Sequence, residues 1–436
     1  MLTRAQISDL KRDFVADEGP PGDDTPVHDR YPESADGEPV FHIEVGSTPH
    51  LPGAATAPTL GEWDAGDRCG IPPPRQWLLG NQFCRRFLSG LLAPGATGKT
   101  ALRTLQYLAL ATGRPLTGQH VFKRSRVLIL SLEDDDSELQ RRMAAARLEH
   151  GIEPDEIKGW LFCATPKGIK LADMKDGARV AGPLEAMLRQ TIKDRQIDLV
   201  GLDPFVKLHA LEENDNGAMD FVCDLLVKLA IECNIAVDAP HHTKKGLQTA
   251  GDADAGRGAS AARDAGRLMY TLTRMSDAEG DTFGIPAEER RLYVRLDSSK
   301  VNIAPPSAEA TWFKLVGVRL DNGTADYPQG DEVQTVIPWH PPKTWDGISD
   351  AQVNAALDEI EAGLPNGQRY SDASAAAERA AWQVVQRHCP DRTEPQCREI
   401  VRTWVKNGLL THQDYDDPVT RKARKGLRVC TGKRPS

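Results

Sequence analysis

The sequence predicts an α/β protein built around a mostly parallel, buried β-sheet. From about residue 76 onward, short apolar runs alternate with longer amphipathic stretches, which is the pattern of right-handed β-α-β units. The most apolar run, RVLILSL at residues 126–132, has the composition of a strand in such a sheet. Because ligands of these sheets bind beyond the carboxyl ends of the strands, we expect the functional residues to lie there.

Hydrophobic periodicity predicts the individual elements of this region. Strands are expected at residues 87–92, 126–132, 197–202, 235–239, 268–273, 292–296 and 312–318. Helices are expected at residues 100–112, 137–150, 183–193 and 216–234. The last three strands are expected to extend the sheet with antiparallel edges.

Composition excludes several classes of protein. The 436 residues suffice for roughly two or three domains, and the 27% charged and 40% hydrophobic residues are typical of globular proteins. A net charge of -9 excludes a surface that is basic overall, so any nucleic-acid contact must come from a local patch. None of the eight cysteines forms a CxxC pair, and no apolar run approaches the roughly 20 residues of a membrane span. We therefore expect a cytoplasmic location and no membrane contact.

The strongest local signal is APGATGKT at residues 93–100, which fits the Walker A pattern with Ala93 in its first position. Small residues let successive backbone N–H groups wrap a phosphate, and the following helix adds the positive end of its dipole. Within this P-loop, Lys99 is expected to reach the β- and γ-phosphates of ATP, and the Thr100 hydroxyl to ligate Mg²⁺. The predicted nucleotide-binding residues are Pro94, Gly95, Ala96, Thr97, Gly98, Lys99, Thr100 and Ala101.

Two acidic residues at strand ends are candidates for the chemistry. The run IDLVGLD, residues 197–203, has the Walker B form, in which Asp203 holds Mg²⁺ through its water shell. Glu133 follows the strand at residues 126–132 and is placed to orient and deprotonate the attacking water. The alternative for Glu133 is a solvated acid, because three aspartates follow it directly.

Basic residues follow two further strands. His241 and His242 come after the strand at residues 235–239, where a neutral imidazole can report the presence of a γ-phosphate. Paired histidines also suggest a metal site, but the sequence indicates no third or fourth ligand. The segment RGASAARDAGR, residues 257–267, contains three arginines that could neutralise a transferring phosphoryl group. The alternative for these arginines is a surface loop with solvated charges.

Taken in order, these motifs resemble a known family. The pieces APGATGKT, LED, DLVGLDPF, HHTKKG, RGASAARDAGR and DSSKVN, between about residues 76 and 318, resemble the RepA-type hexameric replicative helicases of plasmids. They also resemble related RecA-like AAA-family P-loop ATPases of phages and mobile elements. The resemblance implies a RecA-like P-loop NTPase core, a hexameric ring, and ATP rather than GTP bound between subunits.

The resemblance also implies roles for individual residues. Those acting within one subunit are Lys99, Thr100, Glu133 and Asp203. His242 corresponds to the γ-phosphate sensor, and Arg267 to an arginine finger that reaches the site of the neighbouring subunit. Lys300 is implied to lie near the same interface.

The C-terminal part has a different pattern, after a Pro-rich joint at residues 338–343. Helices are expected at residues 349–362, 373–389 and 394–407, followed by a turn between two short strands, which is the outline of a winged helix-turn-helix. The third helix carries cations at i, i+4 and i+8, and the tail from residue 420 is strongly basic. The predicted DNA-binding residues are Arg398, Arg402, Lys406, Arg421, Lys422, Arg424 and Lys425. The alternative is a solvated helix face with a basic tail.

We therefore predict three regions: an acidic, largely disordered N-terminal arm at residues 1–75 with one short helix at residues 3–14, an ATPase domain at residues 76–340, and a helical winged-helix DNA-binding domain at residues 346–436. The predicted function is an ATP-hydrolysing homo-oligomeric motor, a hexamer by the resemblance, that moves along or unwinds single-stranded DNA in its channel. Duplex DNA is the expected partner of the winged helix. Two alternatives remain open: an ATP-regulated DNA-binding regulator or loader without helicase activity, and a signalling ATPase or kinase without a nucleic-acid role.

Overall fold

The computed structural model of the chain describes residues 60–243, 265–304, 310–373 and 375–435. The described residues divide between two units, with the boundary between Pro72 and Pro73. In the first unit, the described residues 60–72 contain a turn at 65–68 and neither helix nor strand. The helix predicted at residues 3–14 and most of the predicted disordered arm lie outside the described residues.

The second unit contains strands and helices in alternation. The strands are β1 (Trp77–Leu79), β2 (Phe83–Cys84), β3 (Leu88–Pro94), β4 (Val127–Ser131), β5 (Leu161–Ala164), β6 (Ala172–Lys175), β7 (Ala178–Ala181), β8 (Leu199–Asp203), β9 (Ala236–Asp238), β10 (His241–Thr243), β11 (Leu268–Arg274), β12 (Tyr293–Val301), β13 (Thr311–Arg319), β14 (Glu332–Trp339), β15 (Leu410–Asp416) and β16 (Ala423–Val429). The helices are α1 (Lys99–Thr112), α2 (Asp136–Glu149), α3 (Pro154–Ile157), α4 (Pro183–Arg195), α5 (Asn216–Glu232), α6 (Asp277–Phe283), α7 (Asp350–Ala362), α8 (Ala381–His388) and α9 (Glu394–Lys406).

A ten-stranded sheet forms the centre of this unit. Its order is β14-β13-β12-β11-β3-β9-β8-β4-β5, and β10 continues the line of β9 beside β3. The strands from β11 through β3 to β5 pair in parallel, whereas β11, β12, β13 and β14 pair antiparallel. The structure therefore confirms the mostly parallel sheet with an antiparallel edge that the sequence predicted.

Helices cover both faces of the parallel strands. Alternate residues of β4 pack in two different apolar clusters, one on each face. Leu128 and Leu130 belong to the apolar cluster that contains residues of α4 and α5. Val127 and Ile129 belong to a different cluster, which contains residues of α1. Because successive side chains of a strand point to opposite faces, a strand between two helical layers must be apolar throughout, which explains the unbroken run at residues 126–132.

The parallel pairing brings the ends of several strands to one edge of the sheet. The P-loop follows β3, Glu133 lies two residues after β4, Asp203 ends β8, and His242 lies in β10. Thr243 of β10 is paired with Pro94 of β3, so the histidines and the P-loop lie at the same level. This edge is where the sequence predicted the functional residues.

The C-terminal part packs three helices and the β15–β16 hairpin around its own apolar cluster, which includes Leu357, Ile400 and Trp404. The first and third helices agree with the prediction to within a residue. The predicted helix at residues 373–389 was wrong at its start, because α8 begins only at Ala381.

The reason for this error lies in tertiary pairing. The alanine-rich segment before α8 has high intrinsic helix propensity. The backbone N–H of Ser371 nevertheless donates to the Arg379 carbonyl at 2.8 Å, and the Ala381 N–H donates to the Ser371 carbonyl at 2.9 Å. A short 3₁₀ turn at Ala377–Arg379 replaces the expected helix start. In the described part of the chain, no helix combines the length and the apolar character needed to cross a lipid bilayer.

Candidate functional site

The P-loop connects the buried strand β3 to the buried helix α1. The Thr97 hydroxyl donates to the Pro94 carbonyl at 2.8 Å, which closes the turn. Gly98 has a φ of 91°, in the left-handed region. A Cβ at this position would lie 2.5 Å from the Leu315 side chain, so only glycine fits here.

The start of α1 is suited to an anion. Among the described residues no side chain caps this helix, and its first turn contains no acid. The first backbone N–H groups of a helix lack intrahelical acceptors, and they lie at the positive end of the helix dipole. A phosphate group supplies both the acceptors and the negative charge, so this end of α1 fits the phosphates of a nucleotide.

Lys99, Thr100 and Asp203 converge beside this helix start. The Lys99 ammonium group, only 3% exposed, forms an ion pair with the Asp203 carboxylate. The Thr100 hydroxyl donates to the other carboxylate oxygen, Asp203 Oδ2, at 2.7 Å. A hydroxyl and a carboxylate at hydrogen-bond distance form a set of hard oxygen donors, which Mg²⁺ prefers beside nucleotide phosphates. The donor set therefore fits the predicted Mg²⁺.

Glu133 and His242 line the same cavity as Lys99, Thr100 and Asp203. His242 Nε2 is 4.0 Å from Glu133 Oε2, and both side chains are roughly half exposed. Partial burial, followed by the positive charge of Lys99, lowers the pKa of His242 below its ordinary value. The imidazole is therefore predominantly neutral at pH 7, and Glu133 has an open path to water.

The residues at this edge enclose a cavity of about 230 Å³. Its lining consists of Pro94, Ala96, Thr97, Gly98, Lys99, Thr100, Ala101, Ser131, Glu133, Asp134, Arg142, Asp203, His242 and Gln334. All predicted nucleotide-binding residues except Gly95 therefore line one cavity. Glu133, Asp203 and His242 line the same cavity. Gly95 lies in the P-loop, exposed and outside the lining.

Sequence analysis missed four polar residues of this cavity: Ser131 and Asp134, which flank Glu133 at the end of β4, and Arg142 and Gln334. Arg142 of α2 forms ion pairs with Asp134 at 3.0 Å and with Glu138 at 3.1 Å. The only sequence signal was the i, i+4 spacing of Glu138 and Arg142, which by itself indicates a surface pair. Gln334 lies in β14, a strand that the sequence analysis did not predict, and it reaches the cavity because this edge strand packs beside α1 and α2.

Arginines at the two ends of β11 occupy different places. Arg274, at the carboxyl end, donates to the Ala96 carbonyl of the P-loop at 2.7 Å. Arg267 is exposed and precedes β11, and its backbone N–H donates to the Leu88 carbonyl at the start of β3. At about 3.3 Å per residue, β3 separates these ends by roughly 20 Å, so Arg267 does not join the cavity of its own chain.

The neighbourhood of Arg267 includes Lys300. Lys300 of β12 is paired with Met269 of β11, which places it at the same end of the sheet as Arg267. The other two arginines of the RGASAARDAGR segment, Arg257 and Arg263, lie outside the described residues.

The predicted DNA-binding residues divide into paired and unpaired cations. Arg398 donates to Glu394 at 2.7 Å and stacks 5.0 Å from the Trp382 ring centre. Arg402 is 3.6 Å from Glu399, and Arg424 is 3.3 Å from Asp417. The other four predicted DNA-binding residues are Lys406, Arg421, Lys422 and Lys425. Their side chains are exposed and form no ion pair within the described part of the chain.

Helix α9 also contacts helix α6. The Thr393 hydroxyl, at the N-cap of α9, donates to the Thr282 carbonyl in α6 at 3.3 Å. A cleft of about 690 Å³ lies beside this contact, and its lining includes Arg290, Arg398 and Arg402. The amino end of the predicted recognition helix is therefore held against α6.

Comparison with known proteins agrees with this site. A family model described as an AAA domain matches residues 54–248, which include the P-loop, Glu133, Asp203 and His242. The match confirms that this part of the chain resembles the P-loop ATPases. Residues 54–248 are thus similar to an AAA domain, a class of P-loop ATPase that uses a nucleotide and typically Mg²⁺.

Solved structures resemble the chain at low identity. One is a DnaB-like replicative helicase studied with its interactions with primase, at 16% identity and a TM-score of 0.39, over 53% of this chain and 57% of that chain. Another is a KaiC-like protein from the hyperthermophilic archaeon Pyrococcus horikoshii, at 13% identity and a TM-score of 0.37, over 62% of this chain and 100% of that chain. The present chain spans a little over half the length of the helicase chain.

His241 gives the site a pH-dependent stability. Burial, followed by the charges of Lys99 and His242, lowers the pKa of His241 to about 4. Between pH 6.5 and 4 the unfolded chain therefore binds more protons at this residue than the folded chain, and stability falls as pH falls. From pH 7 to pH 5 we expect His241 to account for a loss of about 2 kcal/mol in the free energy of unfolding.

Urea unfolding of the wild type and His241→Gln at pH 7 and pH 5 measures this contribution. The variant should lose about 2 kcal/mol less than the wild type between the two pH values. His120→Gln, which alters an exposed histidine, is the control and should follow the wild type. Equal losses in the wild type and His241→Gln would show that His241 titrates normally in the folded chain.

Proposed function

We propose that this protein is a DNA-associated, ring-forming ATPase that uses hydrolysis to move along or unwind single-stranded DNA. The observation that carries the ATPase part is the convergence of Lys99, Thr100 and Asp203 with Glu133 and His242 around one cavity. These residues come from four separate strand ends, and each has a side chain suited to a different part of phosphoryl transfer.

Lys99 and Asp203 form an ion pair in this structure. Binding of ATP would draw the Lys99 ammonium group to the β- and γ-phosphates and leave Asp203 free to help hold a metal ion. The hydroxyl of Thr100, next to Asp203, would hold the metal with it. Mg²⁺ would supply positive charge that neutralises the charge developing on the transferring phosphoryl group.

Glu133 acts as the general base. It lies beyond the end of β4, faces the cavity, and accepts the proton of the water that attacks the γ-phosphate. His242 is 4.0 Å away and largely neutral at pH 7, so it can form a hydrogen bond with the γ-phosphate without a fixed positive charge. This pairing supports His242 as a sensor that distinguishes ATP from ADP.

Arg267 supports assembly into a ring. Its side chain is exposed at the amino end of β11, roughly 20 Å along the sheet from the P-loop of its own chain. An arginine that serves phosphoryl transfer from that position must act on the cavity of a neighbouring chain. We propose a homo-oligomer, a hexamer by the family resemblance, with ATP at each interface.

The C-terminal helices and hairpin support a winged-helix module that contacts DNA. Lys406, Arg421, Lys422 and Lys425 lie exposed on α9 and on the β15–β16 hairpin, in the arrangement that would serve phosphate contacts. Because the protein as a whole is acidic, such a local patch is the part of the described surface best suited to a polyanion.

The contact between α9 and α6 favours a second candidate function. A recognition helix fixed to the ATPase core through Thr393 and Thr282 can couple duplex binding to the nucleotide state. On this alternative the protein is an ATP-regulated DNA-binding regulator or loader, which binds a duplex site and does not unwind DNA.

Steady-state ATP hydrolysis with and without single-stranded DNA tests the motor. We expect hydrolysis that single-stranded DNA stimulates, and a fall of about 100-fold or more in Lys99→Ala, because the charge that stabilises the transferring phosphoryl group is lost. Lys158→Ala alters an exposed lysine and is the matched control. Full activity in Lys99→Ala would contradict the assignment of the nucleotide site. A hydrolysis rate that single-stranded DNA does not change would favour the regulator or loader.

Mixing two inactive variants tests whether Arg267 acts between chains. Arg267→Ala should bind ATP normally but turn it over slowly, and mixtures with Lys99→Ala should regain part of the wild-type rate. Regain is expected because some interfaces then combine an intact P-loop with an intact Arg267. Each variant mixed with itself is the control. A mixture that stays inactive at every ratio, although the two variants co-assemble, would exclude action in trans.

Salt titration of DNA binding tests the basic patch. Lys422→Ala/Lys425→Ala should weaken DNA binding and reduce the slope of log affinity against log salt by about 2, because two phosphate contacts are lost. The control is Lys158→Ala/Lys193→Ala, which removes the same charge from exposed positions elsewhere. If both double variants change the slope equally, binding depends on net charge and not on this patch.

A further inference from the structure

We propose that Asp238 is a buried positioning residue that holds the P-loop, helix α1 and the strand with His241 and His242 in one fixed relation. This inference rests on the proposed ATPase function. It adds that a movement of α1 on nucleotide binding is passed to β9, which leads to His242. The Asp238 network is defined as Ser89, Arg103, Tyr107 and Asp238.

The carboxylate of Asp238 is the centre of this network. Its Oδ1 atom accepts from Arg103 Nη2 at 2.9 Å and from the Ser89 hydroxyl at 2.9 Å. Its Oδ2 atom accepts from the Tyr107 hydroxyl at 2.7 Å. Asp238 is 0% exposed and Arg103 is 1% exposed, so none of these contacts is shared with bulk water.

Each member of the network lies on an element that leads to the phosphate edge. Ser89 lies in β3, the strand that runs into the P-loop. Arg103 lies in α1, one turn after Lys99. Asp238 ends β9, four residues before His242.

Tyr107 extends the network to the strand of Asp203. A Cβ on Gly201 of β8 would lie 2.4 Å from the Tyr107 hydroxyl oxygen, so the strand approaches this side chain as closely as glycine permits. Gly201 is two residues before Asp203. The Asp238 carboxylate therefore contacts α1 directly and β8 through Tyr107, and it lies at the end of β9. These elements carry or lead to Lys99, Asp203 and His242.

Stability alone explains this network poorly. Removing an arginine and an aspartate from water is costly, and apolar replacements of buried ion pairs are often neutral or stabilising. Within the described part of the chain, Arg103 Nε lacks a hydrogen-bond partner, which adds to this cost. What such a network provides is directional constraint, because its hydrogen bonds permit only one relation between the joined elements.

The constraint has a consequence for the reaction cycle. Binding of ATP must pull Lys99 away from Asp203 and engage His242 through the γ-phosphate, whereas ADP lacks that phosphate. With α1 and β9 tied through Asp238, a displacement of either element is imposed on the other. The network should therefore sharpen the discrimination between ATP and ADP and not the affinity for nucleotide in general.

The test uses a paired substitution that removes the charges together. Arg103→Met/Asp238→Asn leaves no unpaired buried charge, so the full-length variant is expected to fold. We measure the Kd of ADP, the Kd of a non-hydrolysable ATP analogue, and kcat and KM for ATP. The preference for the ATP analogue over ADP should fall about 10-fold, and kcat should fall more than KM changes.

The matched control is Arg85→Met/Asp198→Asn. This pair is also an ion pair, its side chains are each 15% exposed, and Asp198 precedes β8 at the end away from the phosphate edge. The control should alter thermal stability without changing the preference between the two nucleotides. Tyr107→Phe, which removes one hydrogen bond and retains the ring, should reduce the preference by a smaller factor and serves if the double variant does not fold.

An unchanged preference and kcat in folded Arg103→Met/Asp238→Asn would overturn the inference and leave the network a structural role only. The same holds if the Arg85→Met/Asp198→Asn control loses the preference to an equal extent. Failure of the proposed function is distinguishable, because the wild type would then neither bind the ATP analogue nor hydrolyse ATP.

Discussion

The ion pair between Lys99 and Asp203 is the interaction on which the rest of the site depends. Lys99 begins α1, beyond the end of β3, and Asp203 ends β8. The strands β3 and β8 are not neighbours, because β9 lies between them, so at about 4.8 Å between adjacent strands they lie roughly 10 Å apart. The pair can form only if the parallel register of β3, β9 and β8 is kept. The register in turn brings Glu133 and His242 to the same cavity.

The site and the core therefore share one set of constraints. Helix α1 is buried along almost its whole length, and it presents Lys99 and Thr100 at its first turn and Arg103 and Tyr107 in the next two. Apolar packing fixes the axis of the helix, whereas the buried polar contacts fix its rotation relative to β9. The same helix therefore carries residues of the phosphate edge and residues of the Asp238 network. The exposed Arg267, by contrast, lies at the amino end of β11, away from the P-loop of its own chain.

Local motifs named most of the residues that line this cavity, because those residues lie in short segments. The P-loop, the acid at the end of β8 and the residues that follow β4 and β9 can each be identified from a few neighbouring residues. The parallel sheet then requires them to meet. Arg142 and Gln334 could not be predicted in this way, because they come from a helix face and an edge strand whose approach is set by tertiary packing.

The same reason explains the other misses. Asp238 ends an apolar strand, and its partners in β3 and α1 are far away in sequence, so no periodic pattern distinguishes it from a surface acid. The helix predicted at residues 373–389 failed because pairing of Ser371 with the backbone near Arg379 overrides alanine-rich propensity. The paired state of Arg398 with Glu394 and Trp382 also needed the structure, since spacing alone gave three equivalent cations.

Calorimetric titration of the full-length protein with a non-hydrolysable ATP analogue and Mg²⁺ tests the central claim most directly. The account predicts one site per chain, an affinity that falls at least about 10-fold when Mg²⁺ is chelated, and a similar loss in Asp203→Asn, because this carboxylate would help to hold the metal. Undiminished binding in Asp203→Asn, or no binding to the wild type, would contradict it.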